Sequence, residues 1–412
     1  MMPLAQRLAA RIRAEGPLRF DAFQEAALYD PQGGYYERTG RVGRTGDFVT
    51  GPSWHPAFGR TMARIARRLR AEGEREEKIA SKGEEGRRER EEEKISAKGD
   101  EGAADGRRAA REGGSFAGVL DMVDVGAGEG ELLAAADSAL RAWGIREHFR
   151  LVGVERSAGR RGKAAERVPS AAWLPSLEEI PESSLRGLVV CYELFDALPV
   201  RTLFFEGEKL LERVVTLGPK GEGFAWGLAE CADGAELLGR FRARGIHLLS
   251  SQKLEIRSGA TRLAQALAER LLSGLILVFD YGAPARSLYS AARANGTLEA
   301  FVSHGVTRDV LTEPGSRDLT AWVDFSELAD AFTAAGLSVA GPVSQSRVLS
   351  AAGIFDELVT DPSAPPDANR EADRRAAAAL VQPGGMGESI RVLLASRGAA
   401  LGSILASWPQ HK

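Results

Sequence analysis

A glycine-rich turn between a hydrophobic segment and an amphipathic one is the strongest chemical signal in this sequence. The hydrophobic run 119–125 leads into Gly126-Ala127-Gly128-Glu129-Gly130, and apolar residues then recur with helical spacing from Leu132 to Leu140. Glycines let the backbone turn sharply and approach a ligand closely, and the N-terminus of the next helix offers unpaired N–H groups. The segment therefore predicts a strand, a ligand-binding turn and a helix.

An acidic residue at the end of a second strand favours a ligand that contains a nucleoside. Leu151-Val152-Gly153-Val154-Glu155 predicts a short strand that ends 25 residues after Gly130. A carboxylate there can accept hydrogen bonds from two ribose hydroxyls, so we expect Glu155 to hold the ribose. An ordinary tight loop is the alternative interpretation of the turn by itself. The residues expected to contact the cofactor around the turn are Asp124, Gly126, Ala127, Gly128 and Gly130.

The glycine spacing distinguishes between nucleoside cofactors. Dinucleotide-binding folds have G-x-G-x-x-G, whereas here the third glycine comes one residue early and Asp124 lies at the strand end. The form D-V-G-A-G-E-G resembles motif I of the class I S-adenosylmethionine-dependent methyltransferases. The spacing disfavours an NAD-dependent oxidoreductase, and the lack of a G-x-x-x-x-G-K-[ST] pattern disfavours a P-loop NTPase.

A second concentration of polar groups follows another hydrophobic run. The strand predicted at 187–192 is followed by Glu193-Leu194-Phe195-Asp196-Ala197-Leu198-Pro199-Val200. In open α/β sheets ligands bind beyond the carboxyl ends of the strands, near the point where strand order reverses. We therefore place Glu193 and Asp196 in the site. The alternative is that Glu193 caps a helix and Asp196 makes a local turn.

Several blocks together make the chain resemble the MidA family of S-adenosylmethionine-dependent methyltransferases, which includes an arginine methyltransferase of mitochondrial complex I assembly. Apart from one charged insertion, the resemblance covers nearly the whole chain in order. The blocks are Leu28-Tyr29-Asp30-Pro31, Gly34-Tyr35-Tyr36, Gly46-Asp47-Phe48-Val49-Thr50, Phe58-Gly59, Asp124-Val125-Gly126-Ala127-Gly128, Glu193 to Val200, Phe279-Asp280-Tyr281-Gly282, Gly296-Thr297-Leu298, His304, Asp318 to Phe325 and Met386-Gly387-Glu388.

The resemblance implies S-adenosylmethionine as cofactor and an arginine of a partner protein as the methyl acceptor. Carboxylates suit a guanidinium, so Glu193 is expected to fix and polarise it and Asp196 to orient the loop. Asp47 and Thr50 are expected to close over the cofactor. The family pattern has an asparagine where this chain has Tyr192. Two alternatives remain open: a methyltransferase for a small molecule, and a non-catalytic assembly factor that retains the fold.

The composition changes abruptly at residues 71–114, which are mostly Glu, Lys, Arg, Gly and Ala. The pattern of Glu76–Gly86 recurs sixteen residues later at Glu92–Gly102. Such a segment cannot bury enough apolar surface to offset its ordering entropy, so we expect a disordered insertion, with a binding arm as the alternative. The expected division is a helical and loop region at 1–70 that contributes to the site, the insertion at 71–114, and a class I methyltransferase domain at 115–412 with an insertion around 201–258.

Alternating strand and helix patterns after residue 115 predict an α/β fold, with a mostly parallel, Rossmann-like sheet of seven strands and helices on both faces. Thr202–Leu217 predicts a β-hairpin, 390–395 an antiparallel late strand, and 360–376 a surface loop. The Gly- and Pro-containing stretches 29–36 and 46–52 predict irregular backbone. The other predicted strands are 119–125, 150–155, 171–174, 187–192, 275–281 and 338–342, and the predicted helices are 1–13, 21–29, 56–69, 130–143, 157–167 and 259–272.

Bulk properties exclude several classes of protein. A net charge of −3 gives no general attraction to nucleic acid, and no apolar stretch approaches the ~20 residues that span a bilayer. Two cysteines and five scattered histidines predict no disulfide framework and no metal site. Residues 1–20 are amphipathic and contain arginines, which would fit a weak organellar presequence, but Glu15, Asp21 and Glu25 count against one. We expect a cytoplasmic protein because the N-terminus lacks a hydrophobic signal core and carries these acidic residues. The oligomeric state is left open.

Overall fold

The computed structural model describes residues 2–37, 50–75, 78, 118–302, 305–357 and 368–398. Its helices are Leu4–Glu15 (α1), Phe20–Tyr29 (α2), Gly51–Trp54 (α3), 57–75 (α4), Glu131–Ala142 (α5), Ala158–Arg167 (α6), Gly234–Ala243 (α7), Ser258–Arg270 (α8), Ala285–Leu288 (α9), Phe325–Ala334 (α10), Gln345–Ala351 (α11), Ala368–Ala379 (α12) and Met386–Ser389 (α13).

In the described residues the strands form three sheets. They are Leu18–Arg19 (β1), Leu120–Val125 (β2), Phe149–Val154 (β3), Ala172–Leu174 (β4), Leu185–Tyr192 (β5), Arg201–Glu206 (β6), Lys209–Leu217 (β7), Phe224–Glu230 (β8), Gln252–Ile256 (β9), Leu271–Ala283 (β10), Glu299–Val302 (β11), Gly305–Thr307 (β12), Asp318–Thr320 (β13), Val323–Asp324 (β14), Ser338–Ser344 (β15) and Ile390–Arg397 (β16).

The largest sheet has the order β15-β16-β10-β5-β2-β3-β4, and β14 pairs with the end of β10. Strands β2, β3, β4, β5 and β10 are parallel, and β16 is antiparallel to β10 and to β15. The expected fold, including its antiparallel late strand, is confirmed. Strand order reverses between β2 and β5, and these two neighbours end in the glycine turn and in Glu193. The sheet therefore brings the two predicted site segments together.

Apolar side chains cover the central sheet on both faces, as a parallel sheet requires. Helices α4 and α5 pack on one face, with Phe58, Met62 and Leu133 in the core. Helices α8 and α10 pack on the other face, with Leu267 and Phe332 in the core. All six residues of β2 are buried, so its end is a rigid support for the turn that follows.

A second, antiparallel sheet carries the N-terminal helices. Its order is β1-β7-β6-β9, with β8 paired to β7, and the predicted hairpin is present as β6 and β7. Gly207 and Glu208 form the two-residue loop with φ of +53° and +68°, the left-handed conformation that such a hairpin turn needs. Helices α1 and α2 bury Leu8 and Phe23 in the same core as Val215 of this sheet. Strands β11, β12 and β13 form a small third sheet.

The structure corrects two local predictions. Ala368–Ala379 is a helix, although 360–376 was expected to be a loop, because its alanine-rich sequence favours helix once the preceding prolines have passed. Gly51–Trp54 is a helical turn within a stretch expected to be irregular, and Thr50 and Ser53 cap it reciprocally. Of the insertion at 71–114, residues 71–75 and 78 are helical, and its other residues lie outside the described ones. No described helix is long and apolar enough to cross a membrane.

Candidate functional site

A cavity of about 450 Å³ lies at the carboxyl ends of the neighbouring strands β2, β3, β4 and β5. Segments after each of these four strands line it, together with side chains from the N-terminal region. The predicted site residues among the lining are Thr50, Asp124, Gly126, Ala127, Gly128, Glu155 and Glu193. Gly130 and Asp196 are not in the lining, and Asp47 lies outside the described residues.

The glycine turn has the conformation that its sequence predicts. Gly126, Gly128 and Gly130 have φ of +80°, +58° and +83°, which L side chains rarely adopt. A Cβ atom on Gly126 would lie 2.9 Å from Cδ1 of Leu194, on the loop after β5. A Cβ on Gly130 would lie 2.9 Å from the Trp173 ring, so that glycine serves helix packing rather than the cavity wall.

Glu155 is buried and immobilised at the end of β3. Its Oε2 accepts a 2.9 Å hydrogen bond from the Gly128 N–H, and its Oε1 accepts one of 2.8 Å from the Ser157 N–H. Each carboxylate oxygen keeps acceptor capacity for another donor. The side chain joins the glycine turn to the start of α6 and has the position and chemistry to receive ribose hydroxyls.

Asp124 is the last acidic residue before the turn and is almost completely buried. Burial, reinforced by the nearby carboxylates of Glu131 and Glu155, raises the pKa of Asp124 to about 8. The floor of the cavity therefore holds a carboxyl group that is largely neutral at neutral pH when nothing is bound.

Glu193 follows β5 in a left-handed conformation with φ of +46°. Its N–H donates to the Phe279 carbonyl at 2.8 Å, while its Oε1 is buried and has no hydrogen-bond partner among the described residues. Burial, then the neighbouring Asp196 and Asp280, raises the pKa of Glu193 well above its usual value. A buried carboxyl oxygen without a partner at a cavity wall is suited to a cationic group from a ligand.

Asp196 lies behind the cavity wall. Its Oδ2 accepts a 2.7 Å hydrogen bond from the Thr320 hydroxyl, and its pKa is raised by burial. This placement favours the loop-orienting role expected for it over direct contact with a substrate.

Sequence reasoning missed two residues that hold the loop after β5. Asp280 accepts hydrogen bonds from the N–H groups of Phe195 (2.9 Å) and Asp196 (3.2 Å). Arg257 donates to four backbone carbonyls, those of Asp196, Leu198, Ala321 and Trp322. Asp280 stood in one of the family blocks without an assigned role, whereas no sequence motif marked Arg257.

Aromatic residues from the N-terminal region form the wall beside Glu193. Tyr29 donates to the Ala197 carbonyl at 3.1 Å, and Tyr36 donates to Oδ1 of Asp318 at 2.8 Å. The two tyrosine rings stack with their centroids 5.4 Å apart. Burial, then the charge of Asp196, raises the pKa of Asp318 to about 7.

Tyr192, at the position where the resemblance led us to expect an asparagine, also lines the cavity. Its hydroxyl donates to Gln345 at 2.9 Å, and a side chain on Gly51 would collide with its ring. The tyrosine thus closes the wall between β5 and the N-terminal region. No group of three or more His, Cys, Asp or Glu arranged to hold a metal occurs among the described residues.

Residues 110–343, more than half of the chain, match a family described as "putative S-adenosyl-L-methionine-dependent methyltransferase". The chain belongs to this family. It is accordingly an S-adenosylmethionine-dependent methyltransferase, and the resemblance noted in its sequence is confirmed.

Curated relatives and solved structures agree with the family. The mouse protein arginine methyltransferase NDUFAF7, mitochondrial, is 27% identical over 90% of this chain and 79% of its own. Its human counterpart is 25% identical over 85% and 74%. A crystal structure from Burkholderia thailandensis bound to S-adenosyl-homocysteine, described as a "likely methyl transferase", is 28% identical, covers 96% of this chain and 92% of its own, and superposes with a TM-score of 0.75.

The relatives correct the expected location. The mouse, human and Drosophila melanogaster proteins are named as mitochondrial, so a cytoplasmic location is not supported for this family. A low cysteine count and the lack of a hydrophobic signal core do not separate the cytosol from the interior of a mitochondrion. Three acidic residues argued against a presequence: Glu15, Asp21 and Glu25. They lie on the packed helices α1 and α2, so their presence follows from the fold and says nothing about where the protein is located.

Proposed function

We propose that this protein transfers the methyl group of S-adenosylmethionine to an arginine side chain of a protein partner. The observation that carries the proposal is the buried, unpartnered Oε1 of Glu193 at the strand end beside the glycine turn. A guanidinium is a cation with N–H donors in a planar fork, and a carboxylate is its best partner. The relatives named as protein arginine methyltransferases support the same acceptor.

The cofactor would lie along the glycine turn. We assign Gly126, Ala127 and Gly128 to the close backbone approach and Glu155 to the ribose hydroxyls. Asp124 would lie beneath the turn, Gly130 would support it through helix packing, and Asp47 and Thr50 would close the cavity from the N-terminal side. In this proposal region 1–70 completes the site, the charged insertion 71–114 is dispensable for it, and residues 115–412 form the methyltransferase domain.

The bound sulfonium supplies an electrophilic methyl group, so the protein must mainly align the acceptor nitrogen with it. In the transfer a nitrogen–carbon bond forms, the carbon–sulfur bond breaks and the sulfonium becomes a thioether. One N–H proton leaves the guanidinium, which keeps its positive charge. Ionised Glu193 would hold the guanidinium by two of its N–H groups and direct the third nitrogen at the methyl group. A bound cation would also lower the raised pKa of Glu193 and so favour the ionised form.

The acceptor can be identified directly. Purified protein is incubated with methyl-labelled S-adenosylmethionine and extract from cells that lack the protein, and the labelled residue is located by mass spectrometry. We expect label on arginine of one or a few proteins and its loss with Glu193→Gln. Label confined to a small molecule, or on another type of residue, would contradict an arginine acceptor, and absence of any transfer would favour the assembly factor.

A further inference from the structure

The cavity contains many carboxylates and few cations. Of the described residues that line it, seven are acidic and two, Arg156 and Arg160, are cationic. Arg156 is already paired, because it donates to the Glu25 carboxylate at 2.6 Å, and it is largely exposed. The methionine moiety of the cofactor carries both an ammonium and a carboxylate. Among the described lining residues the ammonium has several acids available, whereas the carboxylate has these two cations.

The side chain of Arg160 crosses the glycine turn. A Cβ atom on Gly128 would lie 3.1 Å from its Nη2, and its guanidinium carbon lies 5.3 Å from the centroid of the Tyr36 ring. At this distance the ring face attracts the guanidinium and helps to hold it at the cavity wall. Arg160 therefore reaches the part of the cavity that lies between the turn and the aromatic wall.

Arg160 is also the one basic residue of this segment whose side chain has no acceptor among the residues that the structure describes. The others are engaged: Arg156 by Glu25, Arg161 by the carbonyls of Glu155 and Arg156, Lys163 by Glu129, and Arg167 by Glu131. The charge of Arg160 acts to lower the pKa of Asp318, but no hydrogen bond joins the two side chains among the described residues. A half-buried guanidinium without a hydrogen-bond acceptor, inside a ligand cavity, is available to an anion from the ligand.

The backbone of the turn offers little to a carboxylate. The N–H groups of Gly126 and Ala127 both donate to the Val154 carbonyl, at 2.9 and 3.1 Å. The Gly128 N–H donates to Glu155 and the Gly130 N–H to the Ala127 carbonyl. These four donors are thus used within the protein. In the described part of the cavity, the first turn of α5 is a backbone alternative.

We propose that Arg160 binds the carboxylate of the methionine moiety of S-adenosylmethionine and S-adenosyl-homocysteine. This rests on the cofactor part of the proposed function and not on the identity of the methyl acceptor. Arg160 would thereby fix the methionine end of the cofactor, and the neighbouring ring of Tyr36 would help to position Arg160.

The test compares two ligands by calorimetric titration. S-adenosyl-homocysteine carries the carboxylate, whereas decarboxylated S-adenosyl-homocysteine keeps the amino group and the thioether and lacks only that group. We expect Arg160→Ala to bind S-adenosyl-homocysteine about 10- to 100-fold more weakly than wild type, because the variant loses one charge-assisted, bidentate contact. The affinity of the variant for the decarboxylated ligand should remain within about twofold of wild type.

Arg156→Ala is the matched control, since it removes the other cation of the same cavity. In Arg156→Ala the ratio of the affinities for S-adenosyl-homocysteine and its decarboxylated form should be the same as in wild type. Equal weakening of both ligands by Arg160→Ala, no weakening of either, or the same change of ratio with Arg156→Ala would each overturn the assignment. If wild-type protein bound neither ligand, the cofactor assignment itself would fail, which separates that outcome from failure of the Arg160 contact.

Discussion

Gly126 shows how one residue sets both the backbone and the ligand contact. Its φ of +80° strains any L side chain, and a side chain there would project toward Leu194 at the cavity wall. We predict that Gly126→Val abolishes detectable S-adenosyl-homocysteine binding in a calorimetric titration while the fold is largely retained. Gly144→Val is the control, because Gly144 also has a positive φ of +65° but has no atom near its Cβ position. Wild-type affinity in Gly126→Val would place the cofactor elsewhere.

Glu193 and Asp196 belong to the same loop, yet the structure gives them different surroundings. Each has one buried carboxylate oxygen without a hydrogen-bond partner among the described residues, but Glu193 lines the cavity, while Asp196 lies behind it and accepts a hydrogen bond from Thr320. We predict that Glu193→Gln lowers the single-turnover rate of methyl transfer about 10²–10³-fold and leaves S-adenosyl-homocysteine affinity nearly unchanged, because the amide keeps the shape and loses the charge. Asp196→Asn should reduce the rate less. Equal rates in Glu193→Gln and wild type would remove the carboxylate clamp from the mechanism.

At the scale of elements, the loop after β5 is positioned from two sides. The Asp280 carboxylate, at the end of β10, binds the N–H groups of Phe195 and Asp196, and Arg257, at the start of α8, binds carbonyls of the same loop and of residues 321–322. Because β10 lies beside β5 in the sheet, the loop is fixed by its neighbour strand rather than by its own sequence.

We predict that Arg257→Lys reduces methyl transfer tenfold or more, since lysine keeps the charge but cannot reach four carbonyls with one nitrogen, and small displacements of reacting groups are costly. The affinity for S-adenosyl-homocysteine should change less than threefold. Arg201→Lys is the matched control, because Arg201 is a buried arginine held by Glu212 and Asp233 in the second sheet. A comparable loss of rate in Arg201→Lys would indicate a general effect on stability instead.

Local sequence patterns predicted the elements well where one periodicity dominated. Strands β2, β3, β5 and β10 are predominantly apolar, and the hairpin of β6 and β7 has its own turn signal at Gly207. Strands β11 to β13 escaped prediction because they are short and obtain their pairing from one another over a distance in sequence. Helix α12 was not predicted because the prolines just before it indicated a loop, although the sequence of the helix itself is rich in alanine.

The residues of the site also divide into those that local sequence patterns predicted and those that they did not. The positions of the glycine turn and of Glu155 at the cavity could be predicted because both lie within one βαβ unit of regular spacing. The contacts of Asp280, Arg257 and Arg160 could not, since each involves backbone or cavity groups that only the folded sheet brings near. Arg160 lies among four other basic residues of residues 156–167, and only the structure separates it from those that are already paired.

For the whole molecule, buried carboxyl groups determine how stability varies with pH. Burial raises the pKa of Asp124 to about 8, of Asp318 to about 7 and of Asp324 to about 6. In an unfolded chain these groups would titrate near their ordinary values, so between about pH 4 and pH 8 the folded state binds more protons than the unfolded state. Stability must then fall as pH rises through this window.

We predict that the ligand-free protein has a higher free energy of unfolding at pH 5 than at pH 8, by a few kcal/mol in urea titrations. Hydrogen bonds from arginine lower the pKa of Asp30 and Asp233, and this stabilisation is lost only as pH falls below about 4, so it does not oppose the trend. Asp124→Asn should flatten the decline, because the amide has no charge to bury. Asp30→Asn, at a carboxylate whose pKa is lowered, should leave the slope between pH 5 and pH 8 intact. A slope unchanged by Asp124→Asn would mean that Asp124 is ionised in the folded protein at neutral pH. An ionised Asp124 at the floor of the cavity would repel the carboxylate of the cofactor more strongly than a neutral Asp124 does.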